Sequence, residues 1–393
     1  MKSIRKIATV AGAVATMATV AAGSATALSA LPASAATLAS TATLTSAHHG
    51  QPAGTVFVQT DGASGNAIVA YDRTASGGLR QAGTYPTGGD GGQLSGSVVD
   101  HLASEGSLAY DRQAGLLYAA NAGSSTITVF AVRGDRLARL QVIGSGGQFP
   151  VSIAVRGSQV YVLNARDGGA VAGFLRVGGF LVPVRAWHRA LGLDPAQVPE
   201  FTSTPGQVAF TPDGSHLVVT TKNGANTVDV FGVGPFGPSA APAVTSLPGT
   251  VPFGFTFDAR GHLVLTEAGP NVVATFRVAR DGALSQLAAV ATGQAATCWI
   301  TAADGTLYAS NAGSGTESVL RAAPSGALTS LGTAPTDAGT VDATASGDGR
   351  FLYVQTGGAG IVDAYRIGAG GALTEAGSVT VPGAVGAEGI AAS

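Results

Sequence analysis

Glu267 and Asp342 are the residues whose placement most suggests chemistry, because each is the one charged member of a series of equivalent positions. One series, three residues past the anchor of the second run in each of seven repeats, reads Thr60, Asn121, Asn164, Thr221, Glu267, Asn311 and Thr356. The neutral members suit a turn, since Asn caps its own turn and tolerates left-handed backbone. The other series, near the start of the first run, reads Ser107, Ser152, Gln207, Gly254, Cys298, Asp342 and Gly389. Small or polar groups of this kind line a narrow axial channel. A carboxylate at such a mouth can act as an acid, a base or a cation ligand. It can also be structural, Glu267 by pairing with a nearby Arg and Asp342 by accepting inner-strand amides.

Other reactive types are weighed the same way. Cys298 is a nucleophile by type, but no His is near it in sequence, and a small channel filler is the plainer reading. Trp299 is a stacking platform for a ligand or a packing residue between repeats. Gln207, Asn121, Asn164 and Asn311 line the expected mouth as ligand-binding candidates. Arg166, in the loop ARDGG, and Lys222 could meet an anionic ligand. His101 and His188 fall in two long loops as acid/base candidates. His216 and His262 share one repeat position and read as structural. His48 and His49 read as solvated. No nucleophile elbow, phosphate loop, HExxH or CxxC motif is present.

The elements that must position these groups come from a repeat. Tyr71, Phe130, Phe174, Phe231, Phe276, Leu320 and Tyr365 end seven similar runs, at steps of 59, 44, 57, 45, 44 and 45 residues. A period near 45 built from short β-type runs is the mark of a propeller blade. PGQVAFTPDG, SHLVVTTKNGAN, TVDVFGV and APAVTSL give the four strands of one blade, separated by Asp-Gly and Asn-Gly turns. The first blade starts at GTVFVQT and lacks its inner strand, which GAEGIAAS at the other end supplies, closing the ring. The fold class is therefore all-β, a seven-bladed propeller of four-stranded blades over residues 54–393. Residues 86–107 and 185–204 exceed the repeat. Both join an outer strand to the next inner strand, on the face where propellers usually bind ligands.

The N-terminus reads as a secretory leader over residues 1–36: basic Lys2, Arg5 and Lys6, an Ala-rich apolar stretch, and the small-residue site Ala33-Ser34-Ala35. Residues 37–53 read as a flexible lead-in. The expected mature protein is exported, with no membrane span, and carries 18 basic against 23 acidic residues, a net of −5. Charged residues make up only 11% of the chain, so no basic patch points to nucleic acid. Cys298 is the sole cysteine, which excludes an intrachain disulfide; stability must come from the core.

The motifs LLYAANAGSSTITVF, QFPVSIAV, VAFTPDG, PFGFTFDARGHLVLTEA, QAATCWI and DGRFLYVQTGGAGIVDAYRI resemble the lactonase-type seven-bladed propeller family, which includes a bacterial 6-phosphogluconolactonase and fungal carboxy-muconate cycloisomerase. The resemblance covers nearly the whole mature chain. It implies a small lactone, opened by water or closed from an acid, with Glu267 or Asp342 activating water and Arg166 or a channel amide steadying the oxyanion. The family's His, Glu and Arg cluster has no His on a repeat position here, and a phosphorylated substrate would want more basic groups than the mouth offers. Three functions stand: a monomeric exported lactone hydrolase or cyclising enzyme with a small-molecule ligand in its channel and no cofactor; a non-catalytic propeller binding a peptide, glycan or wall component; and a variant with calcium held by Glu267, Asp342 and the Asn ring.

Overall fold

The second and third strands of every blade are made of continuous apolar and β-branched runs because each blade is sandwiched between two others. Thr55–Gln59, Leu116–Asn121 and Phe351–Thr356 are buried along their full length, while outer strands such as Leu79–Pro86 and Leu373–Thr380 alternate towards solvent. The computed structural model describes residues 53–393. The leader, nearly all of the lead-in, and His48 and His49 lie outside the described residues.

Seven antiparallel sheets are arranged as a ring, a seven-bladed propeller. Closure follows the expectation: Ile390–Ala392 pairs with Val56–Val58 as the inner strand of blade one. Five blades have four strands. Blade three adds a two-residue strand, Arg189–Ala190, beside Phe180–Pro183, and blade four splits its outer edge into Gly237–Pro238 and Ala243–Ser246. Part of the 185–204 insertion therefore belongs to a blade, and only its remainder, with a short helix at Glu200–Ser203, is loop.

The repeat anchors do the packing between blades. All seven are buried, and each sits in an apolar cluster shared by neighbouring blades, as Phe231 does with Tyr161 and Leu217, and Tyr365 with Tyr308 and Leu352. In blades one, two, five, six and seven the pairing register with the outer strand shifts at the anchor, a β-bulge that bends the outer strand and raises its twist. The period is thus a period of buried anchors, five of them at a bulge, as much as of strands.

Candidate axial site

The residues at the head of the inner strands clasp one blade to the next. Ser152 Oγ accepts the Val208 amide (3.1 Å), Gln207 Oε1 the Phe255 amide (2.6 Å), and Asp342 Oδ2 the Ile390 amide (3.2 Å). Two ring positions are glycines and cannot do this. At both, a carboxylate outside the repeat register serves instead. Glu388, one residue before Gly389, takes the Gly106 amide (2.8 Å) and the Ser107 amide (3.3 Å) on Oε1. Glu105 lies against Gly254 and takes the Ile300 amide (3.3 Å) on Oε2.

Glu105 reaches that place because residues 94–106 run into the axial mouth. This segment touches blade after blade. Trp299 Nε1 donates to Ser104 O (2.6 Å), Ser104 Oγ to Val151 O (2.8 Å), and the Glu105 amide to Gly206 O (3.2 Å). Lys222 Nζ donates to Ala103 O (2.6 Å), Phe201 O (2.6 Å) and Thr204 Oγ1 (3.0 Å), tying both insertions to blade four. Val99 packs on Phe253, Trp299 and Val341. Ala103 and Lys222, at the two ends of one hydrogen bond, both have left-handed backbone (φ 48° each), which non-glycine residues avoid. The long loop expected to line an open mouth instead plugs it. Openings at the axis lie on the opposite face: one of about 550 Å³ beside Leu108–Gln113 and Ile390–Ala392, and one of about 350 Å³, sharing Val155, that reaches Gly106 and Gln207.

Beneath the plug is a set of buried acids. Asp61 takes Gln59 Nε2 (2.6 Å) and the Glu388 amide (2.9 Å); Asp100 caps its own turn through the Leu102 and Ser104 amides (2.8 Å each). Glu317 accepts Ser310 Oγ. Burial pushes Asp61 and Asp100 up to about 7, Asp342 to about 6 and Glu317 to about 8, against hydrogen bonds that pull Asp61, Asp100 and Asp342 down. Burial and the neighbouring Asp342 charge drive Glu105 and Glu388 well above the carboxylate range. Burial lowers Lys222 to about 7, opposed by Asp100, Cys298 and Glu200. Glu388 Oε2, Glu317 Oε2, Gln59 Oε1 and Gln355 Oε1 are buried without a hydrogen-bond partner among the described residues.

Of the residues singled out from sequence, Asp342 lies in this cluster and Lys222 beside it. Glu267 does not join them: it is buried at its strand end, accepts no hydrogen bond among the described residues, and is raised by burial alone, with no charge from Asp342. Lys222 is not a free cation for an anionic ligand, because carbonyls and a hydroxyl take its protons. Burial pushes the Cys298 thiol up to about 12, which disfavours the thiolate a nucleophile needs. Trp299 anchors the plug and meets Phe253 edge to face (5.1 Å). Asn121 and Asn311 tie their own blades together, through Thr126 and Thr128, and through Thr316 and Ser318; Asn164 bonds the Ser145 and Val162 carbonyls. Arg166 is paired with Glu200 (2.7 Å) over the Phe149 ring, at a cleft of about 160 Å³ away from the acids. His101 joins Gly386 through its amide (2.7 Å), and burial lowers its ring. His216 and His262 are structural as expected, on Ser215 (2.8 Å) and Asp258 (2.7 Å). Among the described residues no three His, Cys, Asp or Glu side chains are grouped to hold a metal ion. Sequence reasoning missed Asp61, Asp100, Glu105, Glu317 and Glu388. The two glycines in the ring were the available signal, since each is a gap that another acceptor must fill.

No family model and no curated protein matches the sequence. Solved structures do. A candidate 6-phosphogluconolactonase of Bacteroides uniformis superposes with a TM-score of 0.70 at 18% identity, over 86% of this chain and 99% of that one. A second, from Bacteroides fragilis, gives 0.68 at 19% over 86% and 98%. The periplasmic gluconolactonase of Pseudomonas aeruginosa gives 0.68 at 20% over 84% and 96%. The chain has the fold of the lactonase-like seven-bladed propellers. At this identity the likeness speaks for the fold, and function rests on the site.

Proposed function

We propose that the protein is an exported lactonase-like propeller that opens a small uncharged lactone, or closes the matching acid, by acid/base chemistry at the axial cluster. One observation carries this reading: Asp61, Asp100 and Asp342 are buried in one cluster with Lys222 beside it, where burial moves the proton affinity of each towards neutral pH, as a general acid and base require. Asp342 and Asp100 are the candidate base and acid, and a channel amide is the donor for the oxyanion. The charge balance favours an uncharged substrate. Six buried acids face one lysine, and Arg166 is engaged elsewhere, so a phosphorylated lactone meets no free cation at the axis. The gluconolactonase name of one structural neighbour fits that class. Export is supported by the leader-like N-terminus alone.

A pH-stat hydrolysis screen on uncharged and phosphorylated lactones, beside Asp342→Asn, Asp100→Asn and Glu267→Gln, tests the reading. Turnover of uncharged lactones that is lost in Asp342→Asn and retained in Glu267→Gln is the expected result. No turnover by a folded protein on any lactone would leave the second reading, a binding propeller, which the plugged mouth favours.

A further inference from the structure

We propose that the rim over blades two, three and four docks the protein onto an anionic lipid bilayer, with apolar hairpin tips entering the headgroup region and arginines meeting the lipid phosphates. The rim is formed by the turns from third to fourth strand, on the face opposite residues 94–106. The inference is independent of the axial reading.

In blades one, five, six and seven these turns are five-residue loops, between Arg73 and Leu79, Val278 and Leu284, Ala322 and Leu328, and Ile367 and Leu373. They read TASGG, ARDGA, APSGA and GAGGA, small or polar throughout. Blades two, three and four depart from this together. Each closes the same hairpin in two residues, pairing Arg133 with Arg136, Val177 with Phe180, and Gly234 with Gly237. The larger side chains presented there are Arg133 and Arg136, then Val177 and Phe180, then Phe236. Phe236 is 92% exposed, Val177 57% and Phe180 53%. Leu175 and Val182, directly opposite each other one pair further from the tip, continue the same face of the blade-three hairpin and are exposed as well.

These apolar groups sit on a rigid support. Gln141 of blade two clamps both backbone groups of Leu181 in blade three (2.7 and 3.1 Å). Trp187 Nε1 of blade three donates to Phe236 O (2.7 Å), and Arg189 Nε to Ser239 O (2.7 Å), both in blade four. The three neighbouring tips are thereby fixed against one another, and apolar surface held out to solvent in this way marks an interaction site.

Charge selects the occupant. Residues 131–190 carry eight Arg and two Asp, in a chain whose expected mature form is acidic. Glu200 and Asp111 take Arg166 and Arg176. Arg133, Arg136 and Arg185 are exposed, and their side chains make neither a hydrogen bond nor an ion pair among the described residues. Asp135 is the one carboxylate in the three tips. A second copy docking by the same face would set these arginines against themselves. A soluble polyanion would engage the arginines and leave Phe180 and Phe236 in water. An anionic bilayer satisfies both, its phosphates facing the arginines and its interfacial region taking the aromatic rings.

A tryptophan placed on the rim reports docking directly, because Trp187 and Trp299 are both buried. Phe236→Trp in the full chain, mixed with vesicles of phosphatidylglycerol and phosphatidylcholine, should shift its emission to the blue and be quenched by brominated lipid. Ser325→Trp, at the corresponding tip of blade six, should stay in water, which separates rim docking from attachment through the N-terminal segment. Read by the same emission shift, vesicles of phosphatidylcholine alone should bind at least about tenfold more weakly, and Arg133→Gln with Arg136→Gln should weaken docking on anionic vesicles by about fivefold for each arginine, with added salt acting in the same direction. Unchanged Phe236→Trp emission on anionic vesicles would overturn the proposal, and so would undiminished docking by the arginine double variant. Retention on heparin with unchanged emission on vesicles would assign the arginines to a charged polymer instead. Dimerisation in light scattering that Phe180→Ser abolishes, without vesicle docking, would give the face to a second copy.

Discussion

Glu105 and Gly254 share one place: the carboxylate of Glu105 occupies the space a Cβ at Gly254 would need, and from there it accepts the Ile300 amide in blade six. Blade five thus borrows its clasp from the loop between blades one and two. The glycine is what lets the loop in, and the loop repairs what the glycine omits.

Gly254→Ala should cost about 1–3 kcal/mol by overpacking. The cost should shrink in a Glu105→Ala background, although Cys298 O and the Trp299 backbone still crowd the new methyl. Urea midpoints of the two single variants and the double variant give the coupling, expected at about 0.5 kcal/mol or more. Additive effects would show that the two residues do not compete for one space.

Stability should fall as the pH is raised from about 5 to about 8. The six axial acids bind protons more tightly folded than unfolded, so their contribution is greatest below the ordinary carboxyl range and is lost as the pH rises, for Asp342, Asp61, Asp100 and Glu317 through folded values of about 6 to 8. Lys222 partly offsets this above about 7. Chemical denaturation across the range should lose at least about 1.4 kcal/mol, the equivalent of one pKa unit. Asp342→Asn should reduce the slope; a flat profile in the unaltered protein would contradict the buried, proton-holding cluster.

Phe231→Ala should cost about 3–5 kcal/mol. Its ring is buried between blades three and four among Tyr161, Leu217 and Trp187. A loss below about 1 kcal/mol in a denaturation experiment would mean the anchors are not what joins the blades.

Arg166→Ala should cost under about 1 kcal/mol globally, despite its paired geometry, because the Arg166 and Glu200 side chains are 42% and 25% exposed. Glu200 also accepts the Ser95 amide (2.6 Å), so the local effect should appear as faster exchange at Ser95 in hydrogen-exchange measurements. A global loss of several kcal/mol would make this pair a structural keystone instead.

The chain's periodicity determined the blades, their number and the closing strand by itself, because a blade's face is written in local alternation and its anchor recurs at a nearly constant step. It also identified which residues head the inner strands, and so placed Asp342 on the axis. The route of residues 94–106 was decided only in three dimensions. A segment outside the repeat has no period to read, and its destination depends on gaps such as Gly254 that form when the ring closes. The acids follow the same logic: Asp61 and the Glu388 amide meet across 327 residues of chain, brought together by ring closure. Their proton affinities belong to the folded ring, since desolvation, and no local sequence, raises them.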